Sequence, residues 1–151
     1  MRYADKVKQA NKQIGEEKPW TVGLYEGIAA VKLILRQKFE QRNRIAIVLL
    51  DSTLEIALKE YLVHESGRYY TPSDLTNLFQ TNRHNVQNEV KKFAKGIDEA
   101  TWKKVIFYNN LRNRLIHERA GAGITDKEVN DYLDTVQKVL NRLFELRFDD
   151  E

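Results

Sequence analysis

The chain has 151 residues, of which 42% are hydrophobic and 31% charged, and its formal net charge is +3 at pH 7. This length and composition suit one domain with a single core, and they exclude an intrinsically disordered chain. The absence of cysteine excludes disulfides, thiol catalysis and cysteine-based metal sites, and the mild basicity does not by itself indicate a nucleic-acid partner.

Residues 1–20 are polar and charged, with few apolar side chains that could anchor them to a core. We expect a polar N-terminal arm or a frayed helix here, followed by a single domain over residues 21–151. The segment lacks the apolar stretch of a secretory signal, and no apolar run in the sequence is long enough for a membrane span. The expected location is therefore the cytoplasm, with no membrane partner.

The first predicted helix of the domain begins after Thr21, a plausible N-cap, and carries an apolar stripe at helical spacing. The stripe consists of Leu24, Ile28, Val31, Leu35 and Phe39. Core packing is its favoured role, and an interface with another copy of the chain is the alternative. Residues 40–44 are polar all round, so the sequence leaves open whether the helix turns back near Asn43 or continues.

Residues 45–63 form the most apolar segment of the chain, and their Ala and Leu content predicts a buried helix. Within this segment, Asp51, Glu55 and Lys59 form a row at i, i+4 and i+8. A solvated or ion-paired stripe is the favoured interpretation of the row. The alternative is that Asp51 or Glu55 meets Arg112 across the bundle and orients its guanidinium group.

Capping signals divide the rest of the chain into helices and short connections. Thr71-Pro72-Ser73-Asp74 starts a short helix, residues 82–95 form the next, and Asp98 caps a long helix that runs into residues 108–118. A capping box over residues 125–128 begins the last helix. The predicted fold is all-α, an antiparallel bundle of about five to six helices.

Residues 108–118 carry the clearest chemical signal in the sequence. Arg112, Asn113 and His117 fall within an arc of about 140° if the helix extends to His117. Arg offers a permanently charged fork of donors for phosphate, His exchanges protons near neutral pH, and Asn donates and accepts hydrogen bonds without titrating. These three are candidate catalytic residues that act on a phosphate. The alternative is that Arg112 and His117 only cap the helix and complement its dipole.

Other charged residues near these three are secondary candidates. Asp51, Glu55 and Glu118 could hold the three candidate catalytic residues in position. Weak candidates for RNA binding are the basic residues Arg114, Arg119, Lys103 and Lys104. Such basic clusters are more often solvated faces.

Metal and cofactor sites have no sequence signal in this chain. His64 and His84, the other two histidines, are interpreted as ordinary surface or helix-end residues. No histidine has a second histidine or a pair of carboxylates at metal spacing, and no glycine-rich loop follows a predicted strand. We therefore expect neither a metal nor a cofactor.

The arrangement Arg112-Asn113-x-x-x-His117 resembles the R-N-x-x-x-H form of the R-x(4–6)-H signature of HEPN domains. These are small helical domains, many of them ribonucleases of toxin–antitoxin, abortive-infection and antiviral defence systems. The context is similar too, because the motif closes one long helix and precedes a last long helix, and residues 45–64 resemble the family's first core helix. The resemblance covers residues 45–146 and implies a HEPN-like bundle.

The resemblance implies an endoribonuclease that cleaves single-stranded or loop RNA without a metal. The 2′-OH would attack the adjacent phosphorus and leave a 2′,3′-cyclic phosphate. Arg112 would neutralise charge on the phosphoryl oxygens, His117 would move protons, and Asn113 would orient the phosphate or the His. A homodimer would join Arg112 and His117 of two copies in one composite site, because two proton transfers are needed.

The defence context of the family makes an antitoxin or a larger defence protein a possible partner. In some relatives a Tyr that a partner nucleotidyltransferase modifies stands two residues after the His, and here that position is Arg119. A Tyr-modifying antitoxin is therefore not supported.

Two hypotheses compete with the ribonuclease. One is a non-catalytic HEPN-like module that binds RNA or nucleotide, or forms dimers, within a larger defence system. The other is a helical adaptor in which the motif only caps a helix. Retention of both Arg112 and His117 favours the enzyme over the non-catalytic module.

Overall fold

The computed structural model describes residues 2–118 and 123–148, and within them it contains helices but no strand. A single 3-10 turn covers Pro19–Thr21. The α-helices of this described part are α1 (Tyr3–Ala10), α2 (Lys12–Glu17), α3 (Val22–Leu35), α4 (Arg42–His64), α5 (Pro72–Phe79), α6 (Arg83–Lys91), α7 (Glu99–His117) and α8 (Asp126–Phe144). The all-α prediction is confirmed. Six of these helices follow Thr21, and the other two lie in the N-terminal segment.

Helix α4 is the central element, because α3, α6, α7 and α8 all pack against it. Its inner face supplies fully buried leucines such as Leu50, Leu54 and Leu58 to the core. The expectation of a buried helix holds for this face alone, since the opposite face carries exposed apolar side chains, among them Ile45 and Ile56. None of the described helices has the length and apolar character needed to cross a membrane.

The connection between α3 and α4 settles the alternative left open near Asn43. Helix α3 ends at Leu35 and α4 begins at Arg42, so one continuous helix is wrong and the turn lies before Asn43. The Arg42 guanidinium donates to the backbone oxygens of Leu35 (3.3 Å) and Gln37 (3.4 Å), which satisfies carbonyls at the end of α3. Phe39 lies beyond the helix and is exposed rather than part of the stripe.

The N-terminal segment is anchored to the bundle. Tyr3 and Val7 of α1 are buried in the core. Asn11, also fully buried, donates from Nδ2 to the backbone oxygen of Arg147 (2.9 Å) and accepts from the backbone N–H of Arg147 (2.8 Å). Further along, the Trp20 ring stacks on His64 at a centroid distance of 3.8 Å. Residues 3–17 are therefore helical and tied to the C-terminal end, unlike a loose arm.

Helix starts follow the predicted caps. Thr71 and Thr125 each form a capping box with the residue three positions later, and the carboxylate of Asp98 accepts from the backbone N–H of Thr101. Thr21 precedes α3, but its hydroxyl donates to Lys18 O instead of capping α3. Helix α6 ends at Lys91, short of the predicted residue 95. Helix α7 extends to His117, which the proposed arc of Arg112, Asn113 and His117 requires.

Replacing Asn11 by Ala tests the junction between the two ends of the chain. The change removes three hydrogen bonds, one of them to the backbone oxygen of Val7, and leaves a backbone N–H and a carbonyl of Arg147 without their buried partner. We expect a loss of about 1–3 kcal/mol in the free energy of unfolding, measured by urea denaturation. Lys8→Ala, at an exposed position of α1, is the control and should change stability by less than about 0.5 kcal/mol. Equal stability of the Asn11 variant and wild type would contradict the anchored N-terminus.

Candidate functional site

The carboxylate of Asp51, on α4, is the centre of the candidate site. It is only 2% exposed and accepts hydrogen bonds from three other helices. Arg83 of α6 donates from Nη1 to Oδ1 (3.1 Å) and from Nη2 to Oδ2 (3.0 Å), Asn109 of α7 donates to Oδ2 (3.0 Å), and the Tyr132 hydroxyl of α8 donates to Oδ1 (2.6 Å). One carboxylate thus links α4 to α6, α7 and α8.

The charge of this carboxylate is compensated inside the protein. Arg83 is the main partner: its side chain is 5% exposed, and its Nη2 also donates to the backbone oxygen of Asp51 (3.1 Å). Burial, the largest effect, disfavours the charged guanidinium, but the attraction of Asp51, its hydrogen bonds and the smaller effects of Tyr132 and Glu55 together outweigh it and raise the pKa of Arg83 above its usual value. Burial, together with the neighbouring Asp51 charge, raises the pKa of the Tyr132 hydroxyl well above 10, so Tyr132 remains a donor at neutral pH.

Arg112 lies at the edge of this cluster. Its side chain is 29% exposed, and Nε lies 3.7 Å from Asp51 Oδ2. Its Nη1 donates to Asn113 Oδ1 (3.1 Å), while the buried Nε makes no hydrogen bond within the described residues. Asp51 is therefore buried and ion-paired with Arg83 rather than solvated, and it also meets Arg112 across the bundle. The side chain of Glu55 is 48% exposed, and its nearest cation within the described residues is Arg83 rather than Arg112, with Oε1 3.8 Å from Arg83 Nη2.

An open cavity of about 430 Å³ lies between α4, α6 and α7, next to Arg112. The α7 wall presents Arg112 and Asn113 together with Asn109 and Asn110. His84, in the first turn of α6, lines the same cavity. This volume falls in the range of pockets that hold small ligands. The cavity is thus large enough for part of a nucleotide, and its lining includes two arginines, two carboxylates and several amides.

Sequence reasoning did not identify His84 or Arg83 as residues of this cavity. Neither residue is part of a motif, and His84 was interpreted as an ordinary residue. Only the packing of α6 beside α4 and α7 brings them to Arg112. The one local signal was Asn82, whose side chain caps α6 by accepting from Asn85 N (3.0 Å) and so fixes where that helix starts.

His117 is the last residue of α7 and is exposed. It lies on the same helix face as Asn113, one turn and about 6 Å further along the axis. It is not among the described residues that line the cavity. The structure therefore places Arg112 and Asn113 at the cavity and His117 beyond them on the same face.

The end of α7 is held by buried and polar contacts. Leu111 and Leu115 are buried, whereas Ile116 is exposed. The Arg44 guanidinium donates to the backbone oxygen of Leu115 (3.0 Å), one of the last carbonyls of the helix. These contacts fix the helix segment that presents Arg112 and Asn113.

The weaker candidates lie in different surroundings. Lys104 forms an ion pair with Asp131 (2.8 Å), which reduces its availability for RNA, and Lys103 is exposed on α7. Arg114 and Glu118 are exposed near the end of α7, and Glu118 N donates to Arg114 O (2.8 Å). Arg119 lies outside the described residues. Within residues 2–118 and 123–148, no cluster of three or more His, Asp or Glu side chains is placed to hold a metal ion.

No protein-family model, curated protein or solved structure that was compared with the chain matches it.

Replacing Asp51 by Asn tests the cluster as a structural element. The change keeps the shape of the side chain but leaves the buried Arg83 charge without its counter-ion. We expect a loss of about 3–5 kcal/mol in the free energy of unfolding. Urea denaturation measures this, with Glu55→Gln as the control on the same helix face. A loss below about 1 kcal/mol for Asp51→Asn, or an equal loss for Glu55→Gln, would show that Asp51 does not organise the bundle.

The raised pKa of Tyr132 predicts a dependence of stability on alkaline pH. Above pH 10 an unfolded Tyr loses its proton while the folded Tyr132 keeps it, so the free energy of unfolding falls as pH rises. Tyr132→Phe removes this contribution, and its stability should fall less steeply between pH 10 and 11, by about 1 kcal/mol. Tyr69→Phe, at an exposed hydroxyl, is the control. If the free energy of unfolding fell equally steeply with pH for Tyr132→Phe and wild type, the pKa of Tyr132 would not be raised in the folded protein.

Proposed function

We propose that this protein is a metal-independent endoribonuclease of toxin or defence type. It cleaves single-stranded or loop RNA by attack of the 2′-OH on the adjacent phosphorus and leaves a 2′,3′-cyclic phosphate. The observation that supports this best is the placement of Arg112, a half-buried cation held by Asp51 and Asn113 at the edge of an open cavity.

Arg112 has charge to offer a phosphate because Asp51 is already paired. Two hydrogen bonds from Arg83 to the Asp51 carboxylate compensate its charge, and they are shorter than the 3.7 Å separation between Arg112 and Asp51. A preorganised guanidinium in a partly desolvated site stabilises the charge that grows on phosphoryl oxygens in the transition state. The Asp51 cluster therefore supports Arg112 in position without consuming its charge.

Asn113 and His117 complete the proposed motif. The oxygen of Asn113 accepts from Arg112, and its Nδ2 has no hydrogen-bond partner among the described residues, so it can donate to a phosphoryl oxygen. His117, exposed one turn further along α7, is accessible to an RNA strand that follows this face of the helix. In this proposal His117 transfers a proton at the reacting phosphate.

Partners follow from the resemblance to HEPN domains. RNA is the substrate, a homodimer is the proposed assembly, and an antitoxin or a larger defence protein is the proposed regulatory partner. The all-helical bundle, with the motif at the end of α7 and before a last long helix, is consistent with this assignment.

One observation favours the second candidate function, a non-catalytic module that binds RNA or nucleotide. Arg112 and Asn113 line the cavity but His117 does not, which is the arrangement of a phosphate-binding site without a proton-transfer group from the motif. The two functions differ in one respect: the module binds RNA through Arg112 and leaves it intact.

Arg112→Ala and His117→Ala distinguish the two functions in an assay on single-stranded and hairpin RNA in the presence of EDTA. For the ribonuclease, each variant should lower the cleavage rate by at least about 100-fold, and wild type should produce 2′,3′-cyclic phosphate ends. Lys8→Ala, which removes an exposed cation from α1, is the control and should cleave as wild type does.

The other outcomes are equally specific. Cleavage that survives both substitutions contradicts the proposal and indicates a contaminating nuclease. RNA binding by wild type without cleavage, lost in Arg112→Ala and kept in His117→Ala, supports the binding module.

A further inference from the structure

His84 is the only histidine among the described residues that line the cavity beside Arg112. It lies in the first turn of α6, on the wall that faces α7. Its side chain is exposed to the cavity and solvent, so it is free to meet a ligand. His84 and His117 thus lie on different helices: His84 is at the cavity, and His117 lies on the face of α7 beyond it.

The position of His84 is set by buried contacts of the residues beside it. Arg83 is fixed to both carboxylate oxygens of Asp51, and Val86 is buried in the core. The Asn82 cap fixes the start of the same helix. His84 is therefore presented by an anchored turn, and the residue before it, Arg83, is bonded to the same carboxylate that lies beside Arg112.

Cleavage through the 2′-OH requires two proton transfers. One group removes the proton of the 2′-OH while the 2′-oxygen–phosphorus bond forms. A second group delivers a proton to the 5′-oxygen as the phosphorus–oxygen bond to the leaving nucleotide breaks. The products are a 2′,3′-cyclic phosphate and a free 5′-OH, and no further reactant is consumed. The motif in one chain offers His117 alone for these two tasks.

We propose that His84 contacts the RNA in this cavity and is the second proton-transfer residue, so that one chain holds a complete site. The inference rests on the proposed ribonuclease function and deepens it. The strand follows α7, with His84 at the cavity, Arg112 and Asn113 at the scissile phosphate, and His117 beyond them. A second copy of the chain is then not needed to supply a histidine, in contrast to the composite site expected from the sequence.

The charged groups around this site are few. The cavity is lined by Asp51 and Glu55 from α4, Arg83 and His84 from α6, and Arg112 from α7. Asp51 is paired with Arg83, and Glu55 lies 3.8 Å from Arg83.

The cleavage test compares His84→Ala with wild type and with Asn85→Ala, an exposed neighbour in the same turn. We expect His84→Ala to lower kcat by about 100-fold or more, to lose one limb of the pH–rate profile, and to recover partly when imidazole is added. Asn85→Ala should behave as wild type. Wild-type cleavage by His84→Ala, or a loss with an unchanged pH profile and no recovery in imidazole, would overturn the assignment.

A mixture of Arg112→Ala and His84→Ala chains, produced together, tests whether one chain holds the site. Each chain lacks one of the two groups, so a site within one chain gives no activity in the mixture. Activity restored in the mixture would show that the two groups come from different copies and would refute the single-chain site.

Histidine NMR signals separate failure of this inference from failure of the proposed function. A short single-stranded DNA carries phosphodiesters but no 2′-OH, so it probes binding without cleavage. We expect it to shift the signals of His84 and His117 but not of His64, which is stacked on Trp20. If wild type does not cleave RNA, the proposed ribonuclease function is wrong. A shift of the His84 signal would then support only a contact between His84 and the strand. An unmoved His84 signal overturns the inference in either case.

Discussion

The buried carboxylate of Asp51 is the interaction on which the rest of this structure depends. A charge that is 2% exposed would be strongly destabilising without partners, and it has donors from three helices. Apolar contacts alone can hold helices together in several registers, whereas a carboxylate that needs four well-placed donors accepts few arrangements. Asp51 thereby fixes where α6, α7 and α8 lie relative to α4.

The same carboxylate determines what the surface beside it can do. Arg83 donates hydrogen bonds to both carboxylate oxygens of Asp51. The side chain of Arg112 is partly exposed, and its Nε lies 3.7 Å from Oδ2 of the same carboxylate. Asp51 therefore holds the guanidinium of Arg112 in place, although the charge of Arg112 is not needed to neutralise Asp51. Beside it, amides from α7 and His84 from α6 line one open cavity. A stabilising cluster and a candidate phosphate site thus share one residue.

Local rules predicted much of the fold, because caps and helical periodicity act over three or four residues. Thr71, Asp98 and Thr125 cap helices as expected, and α7 extends to His117. Periodicity did not predict which face of α4 is covered, so exposed Ile56 was expected to be buried.

What the sequence did not reveal depends on contacts between distant positions. Asp51 meets Arg83 across 32 residues and Tyr132 across 81, and Asn11 meets Arg147 across 136. No spacing rule relates such pairs, and its place in a row with Glu55 and Lys59 at i, i+4 and i+8 made Asp51 resemble a surface residue. The motif itself was visible because Arg112, Asn113 and His117 are neighbours on one helix. His84 was not, since only the packing of α6 brings it to them.

Arginine Nε–H NMR signals provide the most direct test of whether the phosphate of an RNA binds at Arg112. The Nε atoms of Arg112 and Arg83 make no hydrogen bond in the described residues, so both report changes around them. The ligand is a single-stranded RNA with 2′-O-methyl groups, which cannot undergo the cleavage reaction. The account predicts a large shift at Arg112 and little change at the buried Arg83. An unmoved Arg112 signal, or a shift no larger than that of exposed Arg114, would contradict it.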